Sequence, residues 1–435
     1  MSTAPAPTTA LPVAELAARY GTPLYVYDLD RVRAARRDLF AALPEGFTLF
    51  YALKANPHPD IVRALRSGEG PACRAEISST GELDAALEAG FGGADCLYTG
   101  PGKTYGELAE TIDRGVRLFS AESVTDLEHI GAAAAAAGVV ADCLLRVNAA
   151  GVGATTTSIR MTGAPSQFGF DSETLPGLAP ALTTVPGTRI AGAHFFPLSN
   201  AKDEDGLIAE FRHTITLAAE LEKHLGVTFR VLDIGGGFAA PYGVRGERPR
   251  YPHLRGALEG ALDAHFPRWR DGGLEVACES GRHLVADGGR LLCAVVNTKV
   301  SRGRRFVVLD AGINAFGGMS GLGRLLPVTV EPCTDDTDQG PARDLPTERA
   351  SLVGPLCTPG DLLGREIELP AGLSAGDVVS VPNAGSYGVT ASLLMFLGRP
   401  APTEVCVRDG EVVSVTRLEH RRVVPGDRDR TDRRE

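Results

Sequence analysis

The feature that most constrains the fold is a regular alternation of short apolar segments and amphipathic segments from residue 31 to residue 285. The amphipathic segments, such as Gly81–Ala89 and Leu207–Leu225, have helical periodicity. Eight apolar segments are predicted as β-strands: Thr48–Leu53, Ala72–Ile77, Asp95–Tyr98, Val116–Ser120, Asp142–Val147, Arg189–Phe195, Arg230–Ile234 and Glu275–Glu279. Eight strand–helix repeats favour a closed (β/α)8 barrel over the alternative, an open doubly wound sheet.

The pattern changes after residue 285, where strands follow one another with Gly/Pro turns between them. This predicts an antiparallel β-domain over residues 286–418, to which residues 1–30 add one early strand, Pro23–Tyr27. We expect Asp335–Glu348 to form an exposed loop and the charged tail 419–435 to be flexible. The strands predicted in the β-domain are Leu291–Val300, Arg305–Leu309, Leu326–Val330, Arg365–Leu369, Asp377–Val381 and Glu404–Val407.

Composition and charge exclude several classes of protein. The chain is 43% hydrophobic and 23% charged, which is typical of a globular protein with a substantial core. Its net charge of −10 disfavours sequence-independent nucleic-acid binding. We find no apolar run long enough for a membrane span and no signal-peptide pattern at the N-terminus. The eight cysteines form no CxxC pair, so we expect reduced thiols and a cytoplasmic location.

Candidate chemistry lies where the predicted barrel strands end, because barrel enzymes place their active sites at the carboxyl ends of their strands. Lys54, one of five lysines, ends the first strand. It is either a strand-end lysine that reaches solvent or a partly desolvated amine that can form a Schiff base. Gly235–Gly237 follow the seventh strand, as a flexible turn or as backbone that approaches a phosphate closely. Glu279 and Arg282 flank Gly281 after the eighth strand, as a local ion pair or as site residues.

Three further segments contain polar residues in turns. The sequence TGPGKT at 99–104 resembles part of a phosphate-binding loop, but Leu97 stands where that motif needs glycine, which argues against a nucleotide hydrolase. GPLCTPGD contains Cys357 and Asp361, and NAGSYGVT contains Tyr387. Each of these two segments alone predicts only a turn.

In chain order, YALKAN, STGEL, GGG, ESGR, GPLC and SYG resemble the motifs of fold type III pyridoxal-phosphate (PLP) decarboxylases, the diaminopimelate/ornithine decarboxylase superfamily. The resemblance covers residues 20 to 410. It implies a barrel of the alanine racemase type with a C-terminal β-domain, and pyridoxal 5′-phosphate as the cofactor. It also implies a PLP-dependent carboxy-lyase that forms a homodimer with shared active sites.

The resemblance further implies a role for each matching residue. Lys54 would hold PLP as a Schiff base, and Glu279 would keep the pyridine nitrogen protonated, which favours decarboxylation. Cys357 would enter the site from the partner subunit and protonate the product carbon, with Asp361 nearby as a substrate-side acid. The remaining cofactor contacts would come from His194, Phe196, Ser199, Gly235, Gly236, Gly237, Gly281, Arg282 and Tyr387.

Two departures from the family pattern concern the residues that recognise the distal group of the substrate. Thr358 replaces an acid that usually follows the cysteine and engages a distal amino group. Gly317 and Gly318 stand where an arginine usually binds a distal carboxylate, with Arg324 further along. These changes argue against free diaminopimelate as the substrate. The chain is more similar in character to aminoacyl-carrier-protein decarboxylases of the butirosin type, which serve antibiotic biosynthesis.

Two other departures concern the cofactor. Phe196 occupies the position of the histidine that stacks on PLP, and Glu76 replaces an aspartate before STGEL. The leading hypothesis is an α-decarboxylase of an acidic aminoacyl group tethered to an acyl-carrier protein. The alternatives are a decarboxylase of a free diamino acid (diaminopimelate, ornithine or lysine) and a non-catalytic relative. The basic stretch at 299–305 is either a solvated hairpin or a docking patch for the carrier.

Overall fold

The computed structural model describes residues 13–149, 159–160, 162–201, 203–317, 331–332 and 346–422. The α-helices are α1 (Val13–Tyr20), α2 (Leu29–Ala42), α3 (Pro59–Arg66), α4 (Thr80–Glu88), α5 (Tyr105–Asp113), α6 (Val124–Ala136), α7 (Ala179–Leu182), α8 (Glu204–Leu225), α9 (Leu254–His265) and α10 (Arg282–Val285). The strands are β1 (Leu24–Asp28), β2 (Thr48–Ala52), β3 (Arg74–Ile77), β4 (Cys96–Tyr98), β5 (Leu118–Ala121), β6 (Ala141–Asn148), β7 (Ile159–Arg160), β8 (Phe170–Asp171), β9 (Thr188–Phe195), β10 (Leu198–Ser199), β11 (Val231–Asp233), β12 (Glu275–Ser280), β13 (Gly289–Ser301), β14 (Arg304–Leu309), β15 (Glu331–Pro332), β16 (Thr347–Val353), β17 (Leu362–Pro370), β18 (Val378–Val381), β19 (Thr403–Arg408) and β20 (Glu411–Arg417).

All eight predicted barrel strands are present, and they close into a parallel barrel. The order around the barrel is β2, β3, β4, β5, β6, β9, β11 and β12, and β12 pairs with β2 to complete the circle. This closure excludes the open doubly wound sheet. Because every strand runs in the same direction, the carboxyl ends of all eight meet at one mouth, where Lys54 and Glu279 lie.

Apolar side chains fill the inside of the barrel. A cluster of six buried residues, one from each of six strands, packs across the axis: Phe50, Leu97, Leu118, Leu144, Ala191 and Ala277. The surrounding helices begin at side-chain caps, as in α4, where Ser79 Oγ accepts the Glu82 N–H, and in α6, where Ser123 Oγ accepts that of Asp126. These features fix the strand ends in space and so position the residues that follow them.

The second sheet forms a separate, mostly antiparallel domain, which confirms the predicted β-domain. Most of its pairs are antiparallel, but β14 runs parallel to β16, and β1 runs parallel to β19. β1 also pairs antiparallel with β13, so the early strand lies in this sheet. β16 and β20 were not predicted, and β16 begins at Thr347, inside the predicted loop Asp335–Glu348. The predicted strand Leu326–Val330, residues 335–345 of that loop and residues 423–435 of the tail lie outside the described residues.

The two sheets meet beside Lys54. The loop after β18 lies against the turn after β2, where the Tyr387 N–H donates to the Ala55 carbonyl oxygen at 2.6 Å and Asn56 Nδ2 donates to the Gly385 carbonyl oxygen at 2.9 Å. The β-domain therefore forms one wall of the barrel mouth. Within the ranges given above, no helix is both long enough and apolar enough to cross a membrane.

Candidate active site

Lys54 lies in a short 3₁₀ turn, Leu53–Ala55, directly after β2. Its Nζ donates to Glu76 at 2.8 Å and 3.1 Å, once to each carboxylate oxygen, and its side chain is still 45% exposed. Thr99 Oγ1 donates to the same carboxylate from the end of β4. The Lys54 amine therefore lies in open space at the barrel mouth and forms an ion pair with the buried Glu76.

The electrostatic surroundings of Lys54 stabilise its protonated form. Burial acts to lower the pKa of Lys54, but the negative charges of Glu76 and Glu279 outweigh burial, and the net shift of the pKa is upward. Glu76 is itself only 2% exposed, so little water screens the pair. Sequence reasoning noted Glu76 as a departure from the family pattern but did not assign it to the site.

Glu279 is a buried, ionised carboxylate on β12. Burial acts to raise its pKa, but His194, Lys54 and Arg146 together lower the pKa below its usual range. His194 Nε2 lies 2.7 Å from Glu279 Oε1, and His194 Nδ1 lies 2.8 Å from Ser120 Oγ. Burial and the Arg146 charge lower the pKa of His194, which favours a neutral imidazole beside the Glu279 carboxylate. His194 is fully buried; it supports Glu279 from behind rather than facing the open space.

Phe196 lies close to both cations of the site. Its ring centroid is 5.9 Å from Lys54 Nζ and 5.6 Å from Arg146 Cζ, and Arg146 also lies 5.7 Å from the ring of Phe168. The half-buried Phe196 ring thus borders the space around Lys54. Sequence reasoning missed Arg146, although an arginine inside the apolar strand Asp142–Val147 is itself unusual and was an available signal.

The three glycines after β11, Gly235–Gly237, lie where the backbone either packs too closely for a side chain or adopts a positive φ. A side chain at Gly235 would lie 2.2 Å from the Phe195 carbonyl oxygen, and one at Gly236 would lie 2.5 Å from that of Glu279. Gly237 has φ +123°, which L side chains rarely adopt. The Gly235 N–H donates to Asp233 Oδ1 at 2.8 Å, so this amide is already in use and is not free to bind phosphate.

Arg282 and Tyr387 come together from the two domains. The Arg282 guanidinium lies 5.2 Å from the Tyr387 ring centroid, and Tyr387 has φ 51°. Tyr242 Oη donates to the Tyr387 carbonyl oxygen at 3.1 Å. Gly281 allows the close approach, because a side chain there would lie 3.0 Å from Ala55 Cβ. The cation and the phenol therefore lie beside the turn that carries Lys54.

Two buried hydroxyl groups in the same two segments lack hydrogen-bond partners. Ser280 Oγ precedes Gly281 and Ser386 Oγ precedes Tyr387, and neither finds a partner in the described part of the chain. Unpaired buried donors are costly, and phosphate oxygens are strong acceptors. The donors Ser280 and Ser386, the cation Arg282 and the ionised Glu279 fit the phosphate and the ring nitrogen of PLP. The two serines were not among the predicted site residues.

Three residues predicted to act on the substrate lie together on one loop of the β-domain. Cys357 is exposed and Thr358 half-buried, on the loop between β16 and β17. Asp361 is only 3% exposed, and its two oxygens accept the amides of Ile313 (2.8 Å) and Leu356 (2.7 Å). Asp361 thus organises the loop that carries Cys357.

Four residues named in the sequence analysis remain: Ser199, Gly317, Gly318 and Arg324. Ser199 is half-buried in β10, where it pairs in register with Ile159 of β7. Gly317 has φ 111°. Arg324 and Gly318 lie outside the described residues.

Comparison with known proteins agrees with this geometry. Residues 29–286 match the family model described as "Pyridoxal-dependent decarboxylase, pyridoxal binding domain". The chain is 30% identical to L-glutamyl-[BtrI acyl-carrier protein] decarboxylase from Niallia circulans, over 93% of each chain. It is 33% identical to diaminopimelate decarboxylase from Deinococcus radiodurans, over 90% of this chain and 91% of that one. The crystal structure of diaminopimelate decarboxylase from M. jannaschii with L-lysine matches with a TM-score of 0.78 at 26% identity, over 92% of this chain and 90% of that one.

Fold, site and comparisons define a PLP-dependent carboxy-lyase of fold type III. The chain belongs to the family of pyridoxal-dependent decarboxylases that contains the diaminopimelate decarboxylases and the carrier-protein decarboxylase above. Its cofactor is pyridoxal 5′-phosphate, and its reaction class is the decarboxylation of an amino acid.

Proposed function

We propose that this decarboxylase removes the α-carboxyl group of an acidic amino acid joined through its side-chain carboxyl to an acyl-carrier protein, in natural-product biosynthesis. The observation that carries the proposal is the 30% identity, over 93% of both chains, to an enzyme named for a glutamyl-carrier-protein substrate. Such a substrate keeps its α-amino and α-carboxyl groups free. It presents no charged distal group, and it needs room for the tether.

The loop that contains Cys357 supports this substrate class. A free diamino acid has a distal ammonium group, which a nearby carboxylate would have to recognise. Thr358 offers only a hydroxyl group, and both oxygens of Asp361 already accept backbone amides inside the loop. A neutral, tethered side chain needs no such carboxylate.

Lys54 would hold the cofactor covalently, and Glu76 would accept the proton that Lys54 Nζ must lose. PLP, when bound, supplies an electron sink for the electron pair left on the α-carbon when carbon dioxide departs. An ammonium must lose a proton before its nitrogen can attack a carbonyl. Glu76, hydrogen-bonded to Nζ through both oxygens, is placed to accept that proton. Phe196 would offer an aromatic face beside the amine.

Glu279 would pair with the ring nitrogen. Its carboxylate stays ionised because His194, Lys54 and Arg146 lie nearby and lower its pKa. An ionised acid at that position keeps a pyridine nitrogen protonated, which strengthens the electron sink. Ser120 fixes the orientation of His194 through Nδ1.

The phosphate group would bind at the junction of the two domains. Arg282 supplies the positive charge, and Ser280 and Ser386 supply buried hydroxyl donors that are otherwise unpaired. We assign the amides of Gly236 and Gly237, and the hydroxyls of Ser199 and Tyr387, to the same group of ligands. The Gly235 amide is excluded because Asp233 accepts it.

Cys357 would protonate the product carbon from a neighbouring subunit. Its exposure on a loop of the β-domain leaves the thiol free to enter another copy's barrel mouth. We therefore propose a homodimer in which each active site uses Lys54 from one protomer and Cys357 from its partner.

The substrate proposal is tested with purified, PLP-loaded protein. Glutamyl- and aspartyl-carrier proteins are incubated with it beside free glutamate, diaminopimelate, ornithine and lysine, and intact mass is followed for loss of carbon dioxide. We expect turnover of an aminoacyl-carrier protein and none with Lys54→Ala. Turnover of a free diamino acid, with all carrier-linked substrates inert, would overturn the substrate assignment.

A second candidate is a decarboxylase of free diaminopimelate. It is favoured by the 33% identity to the D. radiodurans enzyme, which exceeds the identity to the carrier-protein enzyme. The same incubation separates the two candidates, because only this one predicts release of carbon dioxide from diaminopimelate without a carrier.

A further inference from the structure

Asp233, the last residue of β11, has a role that neither the motif pattern nor the reaction class assigns. Its side chain is fully buried. Oδ1 accepts the Gly235 N–H at 2.8 Å, whereas Oδ2 is buried without any partner among the residues the structure describes. A buried carboxylate with one unpaired oxygen is expensive if it is charged.

The carboxyl group of Asp233 lies next to a second one. Ligand atoms of Asp233, Glu279 and His194 all lie within 4.8 Å of one another, and all three residues are buried. Two carboxylates this close in a dry site cannot both ionise, so one of them retains a proton.

The surrounding charges decide which acid is protonated. His194 Nε2 lies 2.7 Å from Glu279 Oε1, and the positive charges of Lys54 and Arg146 also favour the ionised form of Glu279. Around Asp233, burial and the charges of Glu279 and Glu76 favour the neutral acid, opposed by the Gly235 amide and by Arg146. Cys278 and His194 also lie near Asp233, and burial favours the uncharged form of both. These neighbours place the proton on Asp233.

We propose that Asp233 is a permanently protonated carboxylic acid and a positioning residue that couples the glycine turn Gly235–Gly237 to the ring-side acid Glu279. The side-chain carbonyl oxygen of Asp233 holds the turn in place by accepting a hydrogen bond from the Gly235 N–H. Its neutral state lets Glu279, one barrel strand away, remain ionised. The proposal rests on the cofactor assignment and is independent of which amino acid is the substrate.

The same three residues could instead bind a metal ion, since one imidazole and two carboxylates are plausible ligands. Nδ1 of His194 is already hydrogen-bonded to Ser120, and the 2.7 Å between Nε2 and Glu279 Oε1 leaves no room for an ion between them, which disfavours metal coordination. The test therefore includes the metal as an outcome that overturns the proposal.

The decisive measurement is the infrared difference spectrum of the cofactor-free protein at neutral pH. Asp233→Asn removes the carboxyl group but keeps an oxygen that can accept the Gly235 amide. We expect the variant to lose a protonated-carboxyl stretching band that the wild type retains to alkaline pH. The matched control is Asp126→Asn: Asp126 is a buried acid in an ion pair with Lys103 at 2.7 Å, so this variant should not lose such a band.

Cofactor affinity provides the second readout. We expect the Kd for PLP of Asp233→Asn to stay within about threefold of the wild type, because a neutral amide reproduces both the charge and the acceptor. Asp233→Ala should weaken PLP binding about tenfold, because it leaves the Gly235 N–H unsatisfied. The pH dependence of the bound-cofactor absorption should be unchanged in Asp233→Asn.

Three results would each overturn the proposal. The first is loss of an ionised-carboxylate band, instead of the protonated one, in Asp233→Asn. The second is a displaced pH profile of the absorption in that variant, which would mean that an anion had been removed. The third is stoichiometric binding of zinc or manganese to the wild type that Asp233→Asn abolishes.

Discussion

Lys54 Nζ donates to both carboxylate oxygens of Glu76, at 2.8 Å and 3.1 Å, so the amine at the barrel mouth is held by an acid from the neighbouring strand of the barrel. The pair joins an exposed cation to an anion that is 2% exposed. The amine is thereby fixed in direction, while its protonated form is stabilised.

Replacing Glu76 should change the pH at which the amine becomes reactive. In Glu76→Gln the negative charge is lost, so the pKa of Lys54 falls. Covalent capture of PLP, measured by borohydride reduction across pH, should reach half-maximum about 1–3 pH units lower than in the wild type. The control is Glu275→Gln. Glu275 is the first residue of β12, at the end of the barrel opposite Lys54, so this variant should leave the midpoint unchanged. An unchanged midpoint in Glu76→Gln would show that Glu76 does not set the charge of Lys54.

Ser280→Ala and Ser386→Ala should affect the cofactor-free and loaded protein in opposite directions. Each change removes a buried hydroxyl that has no partner in the described structure, so the Tm of the cofactor-free protein should stay equal or rise. The loss of a phosphate ligand should raise the Kd for PLP by about 2- to 10-fold. Thermal denaturation and fluorescence titration check the two effects. If PLP affinity is unaltered in both variants, these serines are not phosphate ligands.

Glu404 makes stability depend on pH in the neutral range. Burial raises its pKa to about 7, partly opposed by the hydrogen bond from Tyr27 Oη at 2.9 Å. Because the folded-state pKa lies above the unfolded value of about 4.3, the stability contribution of this group is complete below the unfolded value. It is lost progressively as the pH rises from the unfolded value through the folded value of about 7.

The neutral mimic Glu404→Gln removes that pH dependence. It should leave the free energy of unfolding nearly unchanged at pH 4 and increase it by about 1–3 kcal/mol at pH 8.5, as measured by urea denaturation. The exposed Glu411→Gln serves as the control, with no effect expected at either pH. Equal effects of Glu404→Gln at the two pH values would contradict the assignment.

Mixing two inactive variants tests the proposed exchange of Cys357 between subunits. Lys54→Ala and Cys357→Ala should each have little activity alone. When they are unfolded and refolded together, half of the dimers are mixed, and each mixed dimer has one intact site. Decarboxylase activity should therefore recover to about a quarter of the wild-type value. Failure to recover, with mixed dimers demonstrated by mass spectrometry, would place both residues in the site of a single chain.

The barrel could be predicted from the sequence because its strands are apolar runs such as Asp142–Val147, separated by helical patterns. The β-domain was less predictable: β16 begins inside a segment rich in charge and proline, where pairing with β14 and β17 overrides the local sequence. In the site, strand-end position drew attention to Lys54 and Glu279. The motif alone could not reveal that the amides of Ile313 and Leu356 converge on Asp361, since these contacts depend on how distant segments pack.

The contact between Tyr387 and Ala55 limits how this enzyme can be divided. A polypeptide ending after α10 would retain the reactive lysine but would lack Ser386 and the backbone amide that restrains the turn beside it. The catalytic half is therefore not an autonomous module. A recombinant enzyme that takes its C-terminal half from a relative would therefore have to preserve the contact between Tyr387 and Ala55 in order to be active.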